Sequence, residues 1–330
     1  MTDGVLDVVV AGGGPAGSAT AIGCARAGLD VLLLDDGRGG RPGETLHPGV
    51  GVLLGELGVA TDGFLRHPGY RVQWGGPARF EAFGADADGP WLGYQAPRDV
   101  LDARLLDAAE AAGARVLRGG RATRPVLAHD GRVGGVVTGD GPLPARVVVD
   151  AGGRRHWLAR HLGTPVRRVS RPLVAAYGYV AESWAEPVLR ADGDGWTWVA
   201  PIAAETCAWT RLRPRGGAGW ADPPAELAAA PALGPVRGAD VTWRHTAAAG
   251  PGWFLVGDAA AVLDPAASHG VLRALMSGML AAHAVAGTRH GRLDPEQAAA
   301  DFRHWTLAWF RHDTARLGAL YRLLPGQWAG

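Results

Sequence analysis

The sequence predicts an α/β fold with three parts: a parallel sheet covered by helices, an inserted antiparallel sheet and a C-terminal helical segment. Three observations carry this prediction. A β-branched run near the start ends in a glycine turn and opens a helix, aromatic and β-branched residues alternate through the middle of the chain, and an amphipathic stretch follows Asp294. Strands that alternate with helical patterns favour a parallel sheet, whereas successive alternating runs favour an antiparallel one.

The composition is that of an ordinary globular protein and excludes several functions. The chain has 330 residues, 33 Lys and Arg against 32 Asp and Glu, and a formal net charge of +1. This length predicts two domains, or one large unit with an insertion. The charge is balanced and no basic run is present, so a nucleic acid is not an expected partner. All the Lys-plus-Arg residues are Arg, which excludes a Schiff-base lysine or a P-loop.

The chain start and the cysteines point to a cytoplasmic protein without a metal site. No basic, signal-like segment precedes the first apolar run, and no apolar stretch is long enough to span a bilayer. We therefore expect a cytoplasmic location and no stable membrane insertion. Cys24 and Cys207 stand alone, without the spacing of a zinc site.

The first motif is a strand, a glycine turn and a helix. The run 6–10 is followed by Gly12, Gly14 and Gly17, which have the G-x-G-x-x-G spacing, with Pro15-Ala16 between the last two. The first glycine permits the turn, the second lets the backbone approach a pyrophosphate, and the third lets helix and strand pack closely. The free N–H groups at the helix start would then face the phosphates.

An acidic residue completes this motif at the end of the next predicted strand. Residues 31–34 form a second apolar run, and Asp35 follows it, 18 residues after Gly17. A carboxylate at this distance accepts the hydroxyls of an adenosine ribose. The sequence therefore predicts a dinucleotide whose ribose carries no phosphate.

Further segments, in a fixed order, separate this chain from a plain NAD domain. They are Arg41-Pro42-Gly43-Glu44-Thr45, the helix start at Arg98-Asp99, the strand that ends in Asp150, the string Gly257-Asp258, and the run from Asp264-Pro265 to His269-Gly270-Val271. Together they resemble the FAD-dependent aromatic hydroxylase superfamily, the group A flavoprotein monooxygenases. Within it they are similar to the branch that holds tryptophan halogenases and geranylgeranyl reductases, and to flavoproteins that mature tryptophan-derived quinone cofactors.

The resemblance implies an α/β fold with a Rossmann-type FAD-binding domain, an inserted antiparallel β-sheet substrate domain and a C-terminal helical segment. The FAD-binding domain would be discontinuous and comprise 1–69, 97–165 and 247–290. The substrate domain would comprise 70–96 and 166–246. The helical segment would be 291–330, and we expect it to pack over the FAD-binding domain.

The resemblance also assigns roles around the cofactor. Arg98 is similar to the arginine that approaches the FAD pyrophosphate, Asp258 to the aspartate that accepts ribityl hydroxyls, and Pro265 to the proline beside the flavin ring. The helix that starts at Gly270 would direct its positive end to the pyrimidine edge. The expected FAD-binding residues are Gly12, Gly14, Pro15, Ala16, Gly17, Asp35, Arg41, Glu44, Thr45, Arg98, Gly257, Asp258, Pro265, Gly270 and Val271.

The substrate site is predicted from aromatic residues that alternate along strands. Trp196 and Trp198 lie at i and i+2 in Gly195-Trp-Thr-Trp-Val-Ala-Pro201, so both face one side of a strand. Tyr177 and Tyr179 have the same spacing, and we expect these four residues and Trp74 to contact a flat substrate such as an indole. The string resembles the W-x-W-x-I-P motif of flavin-dependent halogenases, but their catalytic lysine has no counterpart here, which disfavours halogenation.

The expected function is an FAD-dependent monooxygenase that hydroxylates an electron-rich aromatic ring, such as an indole or a free or peptide-borne tryptophan, through a flavin hydroperoxide. His47 and His269 are the predicted proton-transfer residues, since motif position brings both near the ring. Electrons would come from NAD(P)H or from a partner flavin reductase. Two alternatives remain: an isoprenoid double-bond reductase, and an accessory flavoprotein that binds a partner peptide during cofactor maturation.

Overall fold

A computed structural model of the chain describes residues 4–37, 42–193, 195–214 and 221–324. The helices of five or more residues in these ranges are α1 Pro15–Arg26, α2 Pro48–Glu56, α3 Arg98–Ala111, α4 Trp157–His161, α5 Gly270–Arg289 and α6 Pro295–Tyr321. The strands are β1 Leu6–Ala11, β2 Val31–Asp35, β3 Glu44–Leu46, β4 Leu65–His67, β5 Gly69–Gln73, β6 Arg79–Ala82, β7 Ala85–Asp86, β8 Gly89–Pro90, β9 Gly93–Ala96, β10 Arg115–Arg118, β11 Arg124–Leu127, β12 Val133–Thr138, β13 Gly141–Asp150, β14 Arg167–Arg168, β15 Leu173–Val180, β16 Val188–Asp192, β17 Gly195–Ala203, β18 Thr206–Pro214, β19 Arg237–Asp240, β20 Arg244–His245, β21 Ala249–Gly250, β22 Trp253–Leu255 and β23 Ala261–Val262.

The first large sheet confirms the predicted strand, turn and helix. Its central path runs β10-β2-β1-β13-β12-β11, and β22 adds to β13. The strands β10, β2, β1, β13 and β22 are parallel where they pair. Their β-branched and leucine side chains are buried under α1, α3 and α5 in one hydrophobic core, as expected of strands covered on both faces.

The second large sheet confirms the predicted antiparallel insertion. Its order is β19-β15-β18-β17-β16-β5-β6, and every pairing is antiparallel except that of β16 with β5. A smaller sheet, β3-β9-β4, connects it with the segment after β2. One face of the second sheet carries the alternating aromatic residues of β15, β17 and β5. This face is the part of the sheet that concerns the site.

The helix α6 connects the two large sheets. Asp294 caps its start by accepting hydrogen bonds from the backbone N–H groups of Glu296 and Gln297. Near this end Phe302 belongs to the core of the first sheet, whereas Phe310 and Tyr321, further along, belong to the core of the second. The helix was expected to pack over the FAD-binding domain, and its residues contribute to the cores of both large sheets.

One helix, α5, is long and apolar enough to cross a bilayer by length and composition, but 61% of its most apolar window is buried inside the fold. A core helix passes the same test, so this is weak evidence for a membrane segment. In the described ranges no group of three or more His, Cys, Asp or Glu is placed to hold a metal ion.

Candidate active site

The glycine turn between β1 and α1 has no room for side chains. Gly12 has φ +119°, and a Cβ there would overlap the carbonyl of Ala151. A Cβ at Gly17 would overlap the carbonyl of Gly12. Gly14 precedes the helix and provides no side-chain cap, so the N–H groups of the first turn remain available to an anionic ligand.

Asp35 ends β2 beside this turn. Its Cβ and Cγ lie 2.9 Å from the position that a Cβ on Gly13 would take, so the carboxyl group lies against the glycine loop. Pro15 and Ala16 are buried in the first turn of α1, and the Ala16 carbonyl packs so closely on α5 that a Cβ at Gly278 would overlap it. A phosphate-binding helix start with an adjacent ribose acceptor is the arrangement that an FAD requires, so these residues fit that cofactor.

Arg98 lies at the start of α3 and is only 7% exposed. Its Nη1 donates to Glu44 Oε1 at 2.7 Å and its Nη2 to Asp102 Oδ1 at 3.0 Å. Burial raises the pKa of Glu44, and the charge of Arg98 opposes that rise. The guanidinium therefore already binds two carboxylates, and its contact with a pyrophosphate stays a prediction. Arg41, predicted for the same region, lies outside the described residues.

Thr45 and Tyr179 fix the segment that carries Glu44. The Thr45 hydroxyl donates to Gln95 Oε1 at 2.8 Å. The Tyr179 hydroxyl lies within hydrogen-bonding range of the Gly43 backbone, and burial raises the pKa of Tyr179 to about 12. Tyr179 therefore connects the second sheet to the predicted cofactor segment.

The loop before α5 carries the predicted FAD-binding residues Gly257, Asp258 and Pro265, which offer backbone groups and one carboxylate. Gly257 has φ +57° and its N–H donates to Ser277 Oγ at 2.9 Å. The Asp258 side chain is 42% exposed. Pro265 opens a short turn that ends at Ser268 with φ +56°. Gly270 and Val271 then start α5 without a side-chain cap from His269, so the positive end of this helix is available.

His269 lies in a cluster of ionisable groups that the sequence only partly revealed. Its Nδ1 is 3.7 Å from Asp313 Oδ1, and Arg273 Nη1 is 3.8 Å from Asp313 Oδ2. Asp313 is 1% exposed. Among the described residues, His269 Nδ1 and Asp313 Oδ2 are buried without a hydrogen-bond partner. Asp313 is therefore a buried carboxylate beside both side chains, outside hydrogen-bonding distance of His269 Nδ1.

Arg273 and Asp313 were not among the residues predicted from the sequence. Arg273 is one helical turn after His269, a spacing that could have revealed it. Asp313 comes from α6, and nothing local in the sequence relates that helix to the start of α5.

His47 lies near enough to His269 for the two rings to interact electrostatically, and the position of both beside the flavin ring stays a prediction. His47 Nδ1 accepts from the Gly49 N–H at 3.2 Å and caps α2. Desolvation, and then the proximity of His269, lower the pKa of His47. Because the cap engages Nδ1, the predicted proton-transfer role of His47 would fall to Nε2.

An aromatic wall continues from His47 across the second sheet. The ring centroids of His47 and Phe83 are 5.1 Å apart, those of Phe83 and Tyr70 6.0 Å, and those of Tyr70 and Trp198 5.9 Å. Tyr177 lies in the same cross-strand row as Trp198, with Thr210 of β18 between them. We call these five aromatic and imidazole side chains the aromatic wall. Tyr70, on β5, and Phe83, just after β6, were not predicted, because both lie far from β17 in sequence.

Trp196 and Trp74 lie elsewhere, which differs from the prediction. The Trp196 indole is 1% exposed, and its Nε1 is 3.0 Å from both Asp264 Oδ1 and the Tyr321 hydroxyl. Trp74 Nε1 donates to the Leu320 carbonyl at 2.8 Å. The end of α6 covers this part of the sheet, so both indoles pack in a closed core rather than in the aromatic wall.

Comparisons with known proteins decide the family. The family model for FAD dependent oxidoreductases matches residues 7–160, and the one for tryptophan halogenases matches residues 84–286, more than half of the chain. The chain belongs to the tryptophan halogenase family of FAD-dependent oxidoreductases. The members of this family are enzymes that use FAD, so this chain is an FAD-dependent oxidoreductase.

Individual relatives have different activities. A menaquinone reductase of Mycolicibacterium smegmatis is 33% identical over 322 residues, 84% of this chain and 75% of that protein. The myxobacterial chondrochloren halogenase CndH has a TM-score of 0.84 and 26% identity, over 96% of this chain and 82% of its own. The peptidyl tryptophan dihydroxylase QhpG has a TM-score of 0.78 and 23% identity, over 98% and 76%, and shares the fold.

Proposed function

We propose that this enzyme is a monooxygenase that hydroxylates an electron-rich aromatic ring, with an indole or a tryptophan side chain as the substrate class. The observation that carries the proposal is the aromatic wall, which ends at His47 beside the start of α5. Flat rings stack well on tryptophan and tyrosine, and such contacts contribute about 1 kcal/mol each beyond burial. Bound FAD, once reduced, would supply the electrons and the activated dioxygen.

The residues of the chain would bind, orient and protonate. The glycine turn, Asp35 and Asp258 would hold the nucleotide and ribityl parts of FAD. The start of α5 would stabilise negative charge on the flavin ring. Trp198 and Tyr70 would orient the substrate ring, and His269 would move a proton.

Halogenation is not proposed. The halogenases that this chain resembles depend on a lysine near the substrate, and the chain contains none. Arginine cannot replace it, since a guanidinium stays protonated and does not act as a nucleophile.

The test is mass spectrometry of products formed from indole, free tryptophan and a tryptophan-containing peptide in ¹⁸O-labelled dioxygen. One labelled oxygen in the aromatic product supports the proposal. Conversion of the peptide alone would favour the maturation role that the sequence analysis left open. Unlabelled product, or no product from any ring, argues against oxygen transfer.

A second candidate is a reductase of a prenylated quinone, favoured by the 33% identity to the menaquinone reductase. It would work without dioxygen and would consume a menaquinone under argon. Anaerobic incubation of menaquinone with enzyme that has been reduced by dithionite and then freed of it, followed by reoxidation of any quinol in air, separates the two candidates, because only a reductase of the prenyl chain leaves a quinone with two more hydrogens.

The electron donor is the remaining part of the proposal. We propose NAD(P)H or a separate flavin reductase. Anaerobic addition of NADH or NADPH to the FAD-loaded enzyme tests this: rapid bleaching supports direct reduction, and bleaching only with an added flavin reductase supports a partner.

A further inference from the structure

The charges of the chain are not evenly distributed. Residues 151–181 contain six Arg and two His but no Asp or Glu, although the whole chain has a net charge of only +1. Within this segment Arg160, Arg167 and Arg168 are exposed, and Arg311 of α6 is exposed as well. We call these four side chains the basic patch.

The basic patch carries charge that no carboxylate compensates. None of its four arginines forms an ion pair with the residues that the structure describes. Exposed arginines elsewhere do form them: Arg118 pairs with Asp107 and Glu110, and Arg115 pairs with Asp30. Positive charge without nearby carboxylates attracts an anionic partner.

Two members of the basic patch lie around His245 of β20. Arg167, in β14, is paired with His245. Desolvation, and then the charges of Arg167 and Arg311, lower the pKa of His245. Both guanidinium groups are therefore near this ring, although they come from distant parts of the chain.

The other two members lie on the side of Arg244, the neighbour of His245 in β20. Arg168 is paired with Arg244, and Arg244 Nε donates to His156 Nε2 at 3.0 Å. Burial lowers the pKa of His156, and the charges of Arg244 and Arg160 lower it further. Because consecutive residues of a strand point to opposite faces, positive charge lies on both faces of β14.

The strand β14 is also the edge of its sheet, whose order is β14-β20-β23. The Val169 N–H donates to the Trp243 carbonyl at 2.9 Å, so residues 167 and 169 bond to β20. The backbone N–H and carbonyl of Arg168 between them face outward. An open edge can pair with a further extended chain.

We propose that β14 binds an acidic, extended segment of a partner protein. The backbone of the segment would pair with the outer edge of β14, and its carboxylates would bind the basic patch through charge-assisted hydrogen bonds. Because both faces of β14 carry arginine, the segment would have adjacent acidic residues rather than one at every second position. Such binding would be independent of the reaction that the enzyme catalyses.

A nucleic acid and an anionic membrane are also attracted by positive charge, but both fit the edge less well. Neither supplies the peptide N–H and C=O groups that pair with a strand. A membrane surface site would in addition present several apolar side chains for insertion. In residues 151–181, all of which the structure describes, Val169 is the only exposed large hydrophobic residue.

Fluorescence anisotropy with fluorescein-labelled hexaglutamate tests the proposal on the FAD-loaded enzyme. A hexaglutamate whose peptide nitrogens are all methylated keeps the side-chain charges but has no backbone N–H. We expect it to bind at least tenfold more weakly, because it cannot donate hydrogen bonds to the edge. Oligothymidylate and phosphatidylserine vesicles, added as unlabelled competitors at equal charge, should displace the peptide at least tenfold less well than unlabelled hexaglutamate.

Matched variants locate the site. Arg167→Glu together with Arg168→Glu should weaken binding at least tenfold. Arg292→Glu together with Arg322→Glu changes the net charge equally, at exposed positions without ion pairs in the described ranges, and should change Kd less than twofold. Arg168→Pro and Arg168→Ala lose the same charge, but only proline also removes the outward N–H. We expect Arg168→Pro to bind at least threefold more weakly than Arg168→Ala.

Circular dichroism and the flavin spectrum verify that each variant is folded and loaded. No binding of hexaglutamate, or unchanged binding by the Arg167→Glu and Arg168→Glu double variant, overturns the site. Equal binding of the methylated peptide, equal affinities of Arg168→Pro and Arg168→Ala, or full displacement by oligothymidylate or vesicles overturns the added strand. Because no turnover is measured, these results and those for hydroxylation can fail separately.

Discussion

The two ends of the candidate active site differ in the atoms that form their surfaces. At the nucleotide end the surfaces are backbone: glycines that leave room, and the starts of α1 and α5 with available N–H groups. At the substrate end the surface consists of side chains from β5, β15, β17 and the segment after β6. A site built from backbone tolerates almost no substitution at the few glycines that leave room for the ligand. A site built from side chains can be altered by substituting one residue at a time. Fold and cofactor can thus be retained while the substrate changes, which fits the different activities named for the menaquinone reductase and halogenase relatives.

The sharpest test of the backbone end is Gly17→Ala. A Cβ there would overlap the Gly12 carbonyl, so the turn must open and the start of α1 must withdraw from the phosphates. We expect the FAD content of the purified protein to fall at least tenfold, measured from the flavin absorbance per protein. Gly55→Ala is the control, because Gly55 is exposed in α2 with no atom near the added methyl. A Gly17→Ala protein as yellow as the wild type would contradict the cofactor site.

The next largest effect concerns His269, whose Nδ1 lies 3.7 Å from Asp313 Oδ1. His269→Gln should lower kcat about 100-fold if the imidazole transfers a proton, whereas His304→Gln, exposed on α6, should leave kcat unchanged. Because His269 lowers the pKa of His47, the same substitution should move the titration of His47 to higher pH. NMR of the imidazole protons checks this shift, and an unmoved titration would show that the two rings do not interact.

The two tryptophans of β17 lie on the same face of the strand, but Trp198 belongs to the aromatic wall whereas Trp196 is buried under α6. Substituting each in turn compares these two positions. Trp198→Ala should raise KM about tenfold, since a lost aromatic stack costs about 1.4 kcal/mol, with little change in Tm. Trp196→Phe removes the N–H donor to Asp264 and should lower the free energy of unfolding by about 1–3 kcal/mol at unchanged KM. Steady-state kinetics and urea unfolding distinguish them. The reverse pattern would place the substrate at Trp196.

The smallest effect concerns pH. Burial raises the pKa of Asp264 to about 6, against hydrogen bonds from Tyr321, Ala266 and Trp196. Between pH 4 and 6 the unfolded chain, with an aspartate pKa of about 3.9, has released this proton while the folded protein still holds it. The free energy of unfolding should therefore fall as pH rises through this window and level off above it.

Asp264→Asn should make that decline shallower, and Asp62→Asn, at an exposed site, should not change it. Urea unfolding at pH 4, 5, 6 and 7 provides the measurement. An unaltered slope in Asp264→Asn would mean that this carboxyl group does not titrate in the window.

The difference between the two ends also explains which parts of the candidate site could be predicted from the sequence. The glycine spacing, Asp35 and the start of α5 are local patterns, and the structure has the predicted strands and helices at those places. Tyr70 and Phe83 reach Trp198 only through pairing of distant strands. Asp313 reaches His269 only because α6 crosses α5. Periodicity placed Trp196 and Trp198 on one face, but it could not show that α6 covers the first of them.

The helix α6 has a consequence for biosynthesis. It follows every other described element in the chain, and it packs on the cores of both large sheets through Phe302 and Tyr321. Both sheets leave the ribosome before the helix that joins them, so until then the nascent protein exposes one apolar surface on each. In the folded protein α6 also brings Asp313 beside His269 and the Tyr321 hydroxyl to Trp196. A chain that ends before α6 would therefore lack Asp313 and the Tyr321 hydroxyl together and would expose apolar surface on both sheets.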